Sequence, residues 1–287
     1  MDKVAVITDS TAALPIDLVQ KYDIHVMPLK IIFGDKSYRD GVDITPSEFY
    51  SLLRKSDKLP TTSAPSPNEF LAVYRELSQK TNSIACILLS SKLSMSFDAA
   101  MQAKKLAEKE LKGTTIEVID SHTSAGALGF VVQEAARTAA AGGTLAEVIE
   151  AAQKVISRVQ LFAAFETLHY LAKGGRIGKA AAWAGTLLNL KPIITLPTST
   201  GEVAPVERPR TKSRAVQRLL ELMKERVNAK PVHVNVLHAD APQEAERLKE
   251  QVLAQFNCVE IYVSEFTPVM GTHTGPGVLV LAFYPEE

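Results

Sequence analysis

The sequence predicts an α/β protein of two domains: a parallel-sheet N-terminal domain over residues 1–155 and a mixed-sheet α/β C-terminal domain over 156–287. Three observations carry that expectation. Through the first half, short β-rich apolar runs alternate with longer segments of helical period, the pattern of doubly covered strands joined by crossover helices. A Gly142-Gly143 pair then breaks the alternation just before a fresh helix start. Beyond it, strands and helices follow in a less regular order, as a mixed sheet requires.

The elements follow in turn. "VAVIT" (4–8) is the first strand, and a helix runs from Pro15, a residue suited to a first helical turn, to about Tyr22. Apolar alternation in "IHVMPLKIIFGDKSYRD" around Gly34-Asp35 predicts a small hairpin. Helices over 46–55 and 67–80 precede the strand "SIACILL" (83–89). The segment 95–111 has helical period with lysines and glutamates on its wet face, "TIEVID" (115–120) is a third strand, and an alanine-rich helix spans about 125–141. Thr144 and Glu147 have the spacing of a capping box for the next helix. The second half reads as strand 160–165, helix 167–173, a "KGGRIG" loop, helix 178–188 and strands near 191–196 and 202–207. Helix 211–227, strand 231–237, helix 241–254 and strands 258–264 and 278–284 complete it.

Composition narrows the class. Lys+Arg and Asp+Glu both number 32, so no overall basic excess points to nucleic acid. Cys86 and Cys258 lie far apart in apolar, strand-like segments, so they are expected to be buried free thiols of a reducing compartment. They lack zinc spacing, and no tight His/Asp/Glu cluster marks a metal site. No secretory leader and no run of roughly 18 apolar residues is seen, so a cytoplasmic protein without integral membrane association is expected.

Ligands of open α/β sheets bind outside the carboxyl ends of the strands. Four hydroxyl-rich stretches fall at or near such ends: Thr8–Thr11, "PTTSAPSP" (60–67), "SSKLSMS" (90–96) and "SHTSAG" (121–126). Each alone could be a helix cap, because Ser, Thr and Asp are favoured there. Together they describe a floor of O–H and N–H donors suited to a carboxylate or phosphate. No phosphate-binding glycine loop, H-E-x-x-H or G-x-S-x-G occurs. Ser94 could be a nucleophile, but no sequence feature supplies its base. A binding protein fits this inventory better than an enzyme. Basic residues gather in the second half, with Lys173, Arg176 and Lys179 around a Gly-Gly turn. Arg208, Arg210, Lys212 and Arg214 follow beside Pro205 and Pro209. These runs read as a solvated face or as a shaped surface for an acidic partner. "GTHTGPG" (271–277) predicts a tight loop holding His273 at a strand end, as a site group or as a pin for the loop.

The stretches "ITDSTAALP", "TTSAPSP", "SSKLSMSFDAA", "DSHTSAGALG", "LHYLAKGGRIGKAAAWAGTLLNLKPI", "PRTKSRA" and "GTHTGPG" run in order from residue 7 to residue 277. Through them the chain resembles the DegV family, which includes the fatty-acid-binding subunits of bacterial fatty acid kinase. The resemblance implies two α/β domains enclosing one long-chain fatty acid, with its carboxylate held by hydroxyls and no cofactor beyond that ligand. It also implies, for some members, a separate ATP-dependent kinase that phosphorylates the carboxylate. Carried over by residue, Thr62 and Ser94 would be the carboxylate donors, within a fatty-acid-binding set of Thr62, Ser63, Ser94, Ser96, Ser121 and His273. Arg176 and Arg210 would lie at the head-group end or on the kinase-facing surface. The resemblance assigns no catalytic residue and no metal. Met95 and Ala64 depart from it, standing where members usually carry Gly and often Gln. The rival readings are a lipid-responsive interaction module and a serine acyl hydrolase using Ser94 with His273. The Ala- and Leu-rich segments 125–141 and 180–190 would line the lipid tunnel or simply pack the core.

Overall fold

The structure, a computed structural model, describes residues 3–56, 58–183 and 190–286. Strands β1 (Ala5–Asp9), β2 (His25–Met27), β3 (Lys30–Phe33), β4 (Lys36–Arg39), β5 (Thr61–Ser63), β6 (Ser83–Leu88) and β7 (Thr115–Asp120) come from the first half. Helices α1 (Ile16–Tyr22), α2 (Pro46–Lys55), α3 (Pro67–Ser78), α4 (Ser96–Glu110), α5 (Ala125–Ala140) and α6 (Leu145–Ile156) accompany them. The second half supplies β8 (Gln160–Ala164), β9 (Ile193–Thr195), β10 (Ala204–Glu207), β11 (Val232–His238), β12 (Cys258–Glu265) and β13 (Leu279–Pro285). Its helices are α7 (His169–Lys173), α8 (Lys212–Val227), α9 (Pro242–Leu253) and α10 (Pro268–Thr274).

The fold is α/β, with the parallel and mixed sheets the sequence predicts. The first sheet is four-stranded and parallel in the order β2-β1-β6-β7. Its central strand β6 sends Ile84, Cys86 and Leu88 into a core with α3 and α4, while Ala85 and Ile87 face α5 and α6. That two-sided burial is why the strand reads as an unbroken apolar run. The second sheet is six-stranded and mixed, in the order β10-β9-β8-β13-β11-β12, with only β11 and β12 parallel. Helices α8 and α9 cover one face, and α5 contacts β8, β11 and β13 on the other.

Helix α5 thus lies between the two sheets. It is buried almost all round, as its alanine-rich, nearly charge-free sequence demands. Of its residues only Ala125 reaches the main cavity, so this segment packs the core. Capping boxes start α2, α3 and α6, the last by Thr144 and Glu147.

Four local expectations change. The run 24–40 is not one hairpin: it splits at Pro28, so β2 joins the parallel sheet beside β1 while β3 and β4 form the hairpin. Residues 61–63, read as a polar stretch, form strand β5 on the free edge of β3. Gly178–Trp183 is a 3-10 helix, and residues 184–188 of the helix expected there lie outside the described residues. Cys86 is buried and free, whereas Cys258 is only half-buried, because β12 is an edge strand.

Helix α5 also packs tightly at its first turn. A Cβ on Gly129 would lie 2.7 Å from the carbonyl oxygen of Ala12. Alanine in an open helix interior stabilises by about 0.5–1 kcal/mol over glycine. Here the neighbour is backbone and cannot step aside, so Gly129→Ala is expected to destabilise by about 1–3 kcal/mol. Urea unfolding checks the sign: a higher midpoint would show that α5 does not press on the Ser10–Ala12 turn.

Candidate functional site

A cavity of about 560 Å³ opens between the carboxyl end of the parallel sheet and the face of β8, β9 and β13. Its body is apolar, built from side chains such as Leu29, Leu161, Ile194, Leu196, Phe266 and Val280. Strand alternation explains the lining: Leu161 and Ala163 on β8 face the cavity, while Phe162 and Ala164 pack under α8.

Polar groups gather at one end. Strand β5 places Thr62 beside α10, where Thr62 Oγ1 and His273 Nε2 lie 2.8 Å apart. Ser94 precedes α4; its Oγ lies 2.9 Å from Ser96 Oγ and accepts the Ser96 amide at 3.2 Å. Met95, the N-cap of this fifteen-residue helix, brings no side-chain acceptor to the helix start. Arg176 crosses from the "GGRIG" segment, its Nε donating to Leu93 O at 3.1 Å and its Nη1 to Gly174 O at 2.7 Å. No carboxylate neutralises this guanidinium among the described residues. A helix start and an unneutralised arginine both favour an anion at this end.

Of the sequence candidates, Thr62, Ser63, Ser94, Arg176 and His273 line the cavity. Ser96 and Ser121 do not: both are fully buried, Ser96 against Ser94 and Ser121 donating to Thr123 O at 3.3 Å. Arg210 is exposed and outside the lining. Met95, 63% exposed, turns outward at the mouth and does not crowd the donors.

The expectation of a loop around His273 is overturned. Residues Pro268–Thr274 are helix α10, with Pro268 in its first turn, and only Gly275 (φ 71°) and Gly277 (φ 86°) need the left-handed region. Gly271 is there for contact: its Cβ would lie 2.7 Å from the Tyr50 hydroxyl. Sequence reasoning chose no residue on α4 beyond Ser96, yet Asp98 and Gln102 reach the mouth. Their i, i+4 spacing was the available signal. Thr11, singled out only as part of the hydroxyl-rich stretch Thr8–Thr11, lines the cavity and donates to the buried Asp9 Oδ1 at 2.6 Å.

His273 is held neutral. Burial, aided by the Arg176 charge, lowers its pKa to about 4, and its Nδ1 is buried without a partner. Gly174 makes room for that nitrogen, since a Cβ there would lie 2.3 Å from it. The polar end therefore gathers the hydroxyls of Thr62, Ser63 and Ser94, a neutral imidazole and one arginine, with Asp98 and Gln102 at its mouth. Among the described residues it has no activated nucleophile, because the imidazole is bonded to Thr62 and Ser94 Oγ pairs with Ser96. Among the described residues no cluster of His, Cys, Asp or Glu could hold a metal ion, and no helix is long and apolar enough to cross a membrane.

An apolar cavity with hydrogen-bond donors at one end has the form of a binding site for an amphipathic ligand. This chain belongs to the DegV family: residues 3–286 match the family described as "Uncharacterised protein, DegV family". It is 36% identical over 278 residues to a DegV domain-containing protein of Streptomyces coelicolor, covering 96% of each chain. It superposes on a DegV family protein from Thermus thermophilus, described by its fatty acid binding, with TM-score 0.92 and 31% identity over 100% of both chains. A stearic-acid-binding protein from Eubacterium ventriosum matches with TM-score 0.89 and 26% identity, over 99% of this chain and 98% of the other.

The neutral imidazole has a consequence for stability. An unfolded histidine takes up a proton near pH 6.5, whereas folded His273 resists protonation until about pH 4. The unfolded state therefore binds the extra proton first, and this group costs the fold about 3 kcal/mol as pH falls from 6.5 to 4. Relative to wild type, His273→Gln is expected to gain about that much over the same window. Denaturant unfolding of both proteins checks it, and a gap that stays constant with pH would contradict a buried neutral ring.

Proposed function

We propose that this protein binds one long-chain fatty acid, tail in the cavity and carboxylate at Thr62 and Ser94, and presents it to a separate ATP-dependent fatty acid kinase. The single observation that supports this most is the cavity's division into an apolar body and one polar end with an uncompensated arginine. Burying an alkyl chain contributes about 0.8 kcal/mol per CH₂. The carboxylate, in contrast, must keep hydrogen bonds, since an unpaired buried charge is costly. Hydroxyl donors satisfy it and leave it free to react. The Thermus and Eubacterium relatives, described as fatty-acid-binding, favour the same ligand.

The position of the polar end supports presentation. Met95, Asp98 and Gln102 are exposed at the mouth beside Ser94, so the carboxylate would stand at the opening. A carboxylate oxygen attacking the terminal phosphorus of ATP gives an acyl phosphate and releases ADP. Arg176 is suited to the added charge, because its planar fork donates paired hydrogen bonds to phosphate. Arg210, exposed and away from the cavity, would dock an acidic kinase surface. The hydrolase reading is disfavoured, since among the described residues Ser94 Oγ pairs with Ser96 and with no base.

Thr62→Ala and Ser94→Ala are each expected to weaken fatty-acid binding by about 1–3 kcal/mol. Binding of the matching fatty alcohol, which carries no charge, should fall much less. Titration calorimetry with both ligands checks this, and equal losses would put the carboxylate elsewhere. Arg176→Ala is expected to keep its lipid yet lose acyl-phosphate formation with a cognate kinase and ATP. Parallel loss of lipid would make Arg176 a pocket residue only, and full activity would remove it from the chemistry.

A further inference from the structure

The helix that carries His273 starts without a local cap. Thr267 stands at the N-cap of α10, but its side chain caps nothing and its hydroxyl is buried without a partner. Seven residues do not sustain a helix alone, since isolated helices shorter than about 12 residues are marginal. The acceptor for the first turn comes from far along the chain. Asp40 Oδ1 accepts the Val269 amide at 3.0 Å, from a residue 229 positions away. Asp40 is itself fixed: it follows β4, its amide donates to Leu29 O at 2.8 Å, and it forms a bridge with Ile44. Its side chain is only 2% exposed, and Oδ2 is buried without a hydrogen-bond partner.

We propose that Asp40 is a positioning residue for the head-group site, clamping the first turn of α10 so that His273 is set against Thr62. Its functional meaning rests on the fatty-acid reading above; the clamp itself does not. Val269 and His273 are four residues apart, hence on one face of the helix, and both line the cavity. Gly271, between them, presses on Phe49 and Tyr50 of α2. The helix is therefore held at its start by Asp40, along its side by α2, and at its end by Thr62. Remove the first hold and the remaining two leave the helix free to pivot about Gly271.

The clamp is sensitive to protons. Burial raises the Asp40 carboxyl to about 6, against the Val269 amide that bonds it, with the nearby Asp9 adding to the rise. The titratable groups facing Asp40 are Asp9 of β1 and Tyr50 of α2, whose phenol is pushed up by burial and then by Glu265, Asp240 and Asp40. On α10 the titratable residue is His273, which stays neutral until about pH 4. Between pH 7.5 and 5 protonation of Asp40 is the change that reaches the Val269 amide directly, because Asp9, also raised by burial, bonds Thr11 and Leu89 instead. A neutral carboxyl gives up the charge-assisted bond to Val269, so the hold loosens as pH falls through about 6.

Asp40→Asn keeps the shape and one acceptor oxygen but removes the charge, and Asp40→Ala removes both. In lipid-stripped, ¹⁵N-labelled full-length protein, the His273 ring signal is identified by its loss in His273→Gln. The expected wild-type signal moves with a midpoint near pH 6. In D40N it is already displaced at pH 7.5 and does not move through pH 6. A ring signal that is the same in wild type and D40N, and flat through pH 6, overturns the clamp. In the binding arm at pH 7.5, D40N is expected to lose five- to twentyfold in palmitate affinity and less than threefold for hexadecanol. Equal losses for acid and alcohol make Asp40 a support of the fold alone and overturn the positioning role. If wild type binds neither ligand, the fatty-acid reading fails while the ring signal still decides the clamp. If D40A does not fold, D40N decides both arms.

Discussion

The site depends on one hydrogen bond, the 2.8 Å contact between Thr62 and His273. It joins the short edge strand β5 of the first half to α10 of the second, 211 residues on. The cavity lies where these halves meet, so its polar end exists only while they are held in register. The apolar core that runs through both halves supplies the force, with α5 packed between the sheets. Hydrophobic burial is non-directional and fixes the halves only coarsely. Directional contacts set the final geometry: Thr62 to His273 and Arg176 to Leu93 at the cavity, and Ser90 Oγ to Gly201 O at 2.6 Å elsewhere between the halves.

The electrostatics at that end are spare. Asp9 is fully buried, but its oxygens are taken by the Thr11 hydroxyl and amide and by the Leu89 amide. It therefore shapes the floor without presenting charge to the cavity. His273 is kept neutral by burial and by Arg176. Arg176 remains as the cation facing the polar end, and carbonyl oxygens only partly satisfy it. Such an end, with Arg176 and no second cation among the described lining residues, favours an anion.

Much of this was legible in the sequence, for identifiable reasons. Strands β1 and β6 are apolar runs because both faces are covered, and hydroxyls follow their carboxyl ends at the edge where the cavity opens. Thr62, Ser94, Arg176 and His273, chosen from the motifs, all line the cavity. What escaped was set by tertiary contact. Helix α10 looked like a loop because Gly271 serves close packing on Tyr50, and no local pattern separates that use from a turn. Strand β5 is three residues long and is stabilised by pairing with β3, not by its own sequence. Ser96 and Ser121 carry the right side chain in the right stretch, yet point into the protein. Asp40, next to a hairpin, resembles an ordinary turn residue, and its partner Val269 lies in the other half.

The central claim is that the cavity is a lipid site filled by one fatty acid. Mass spectrometry of an organic extract from the denatured, purified protein tests it most directly. The account predicts a single long-chain fatty acid species or a narrow mixture, in about one-to-one amount with protein, as a single enclosed cavity implies. An extract without lipid, from a protein whose melting temperature added fatty acids do not raise, would contradict it.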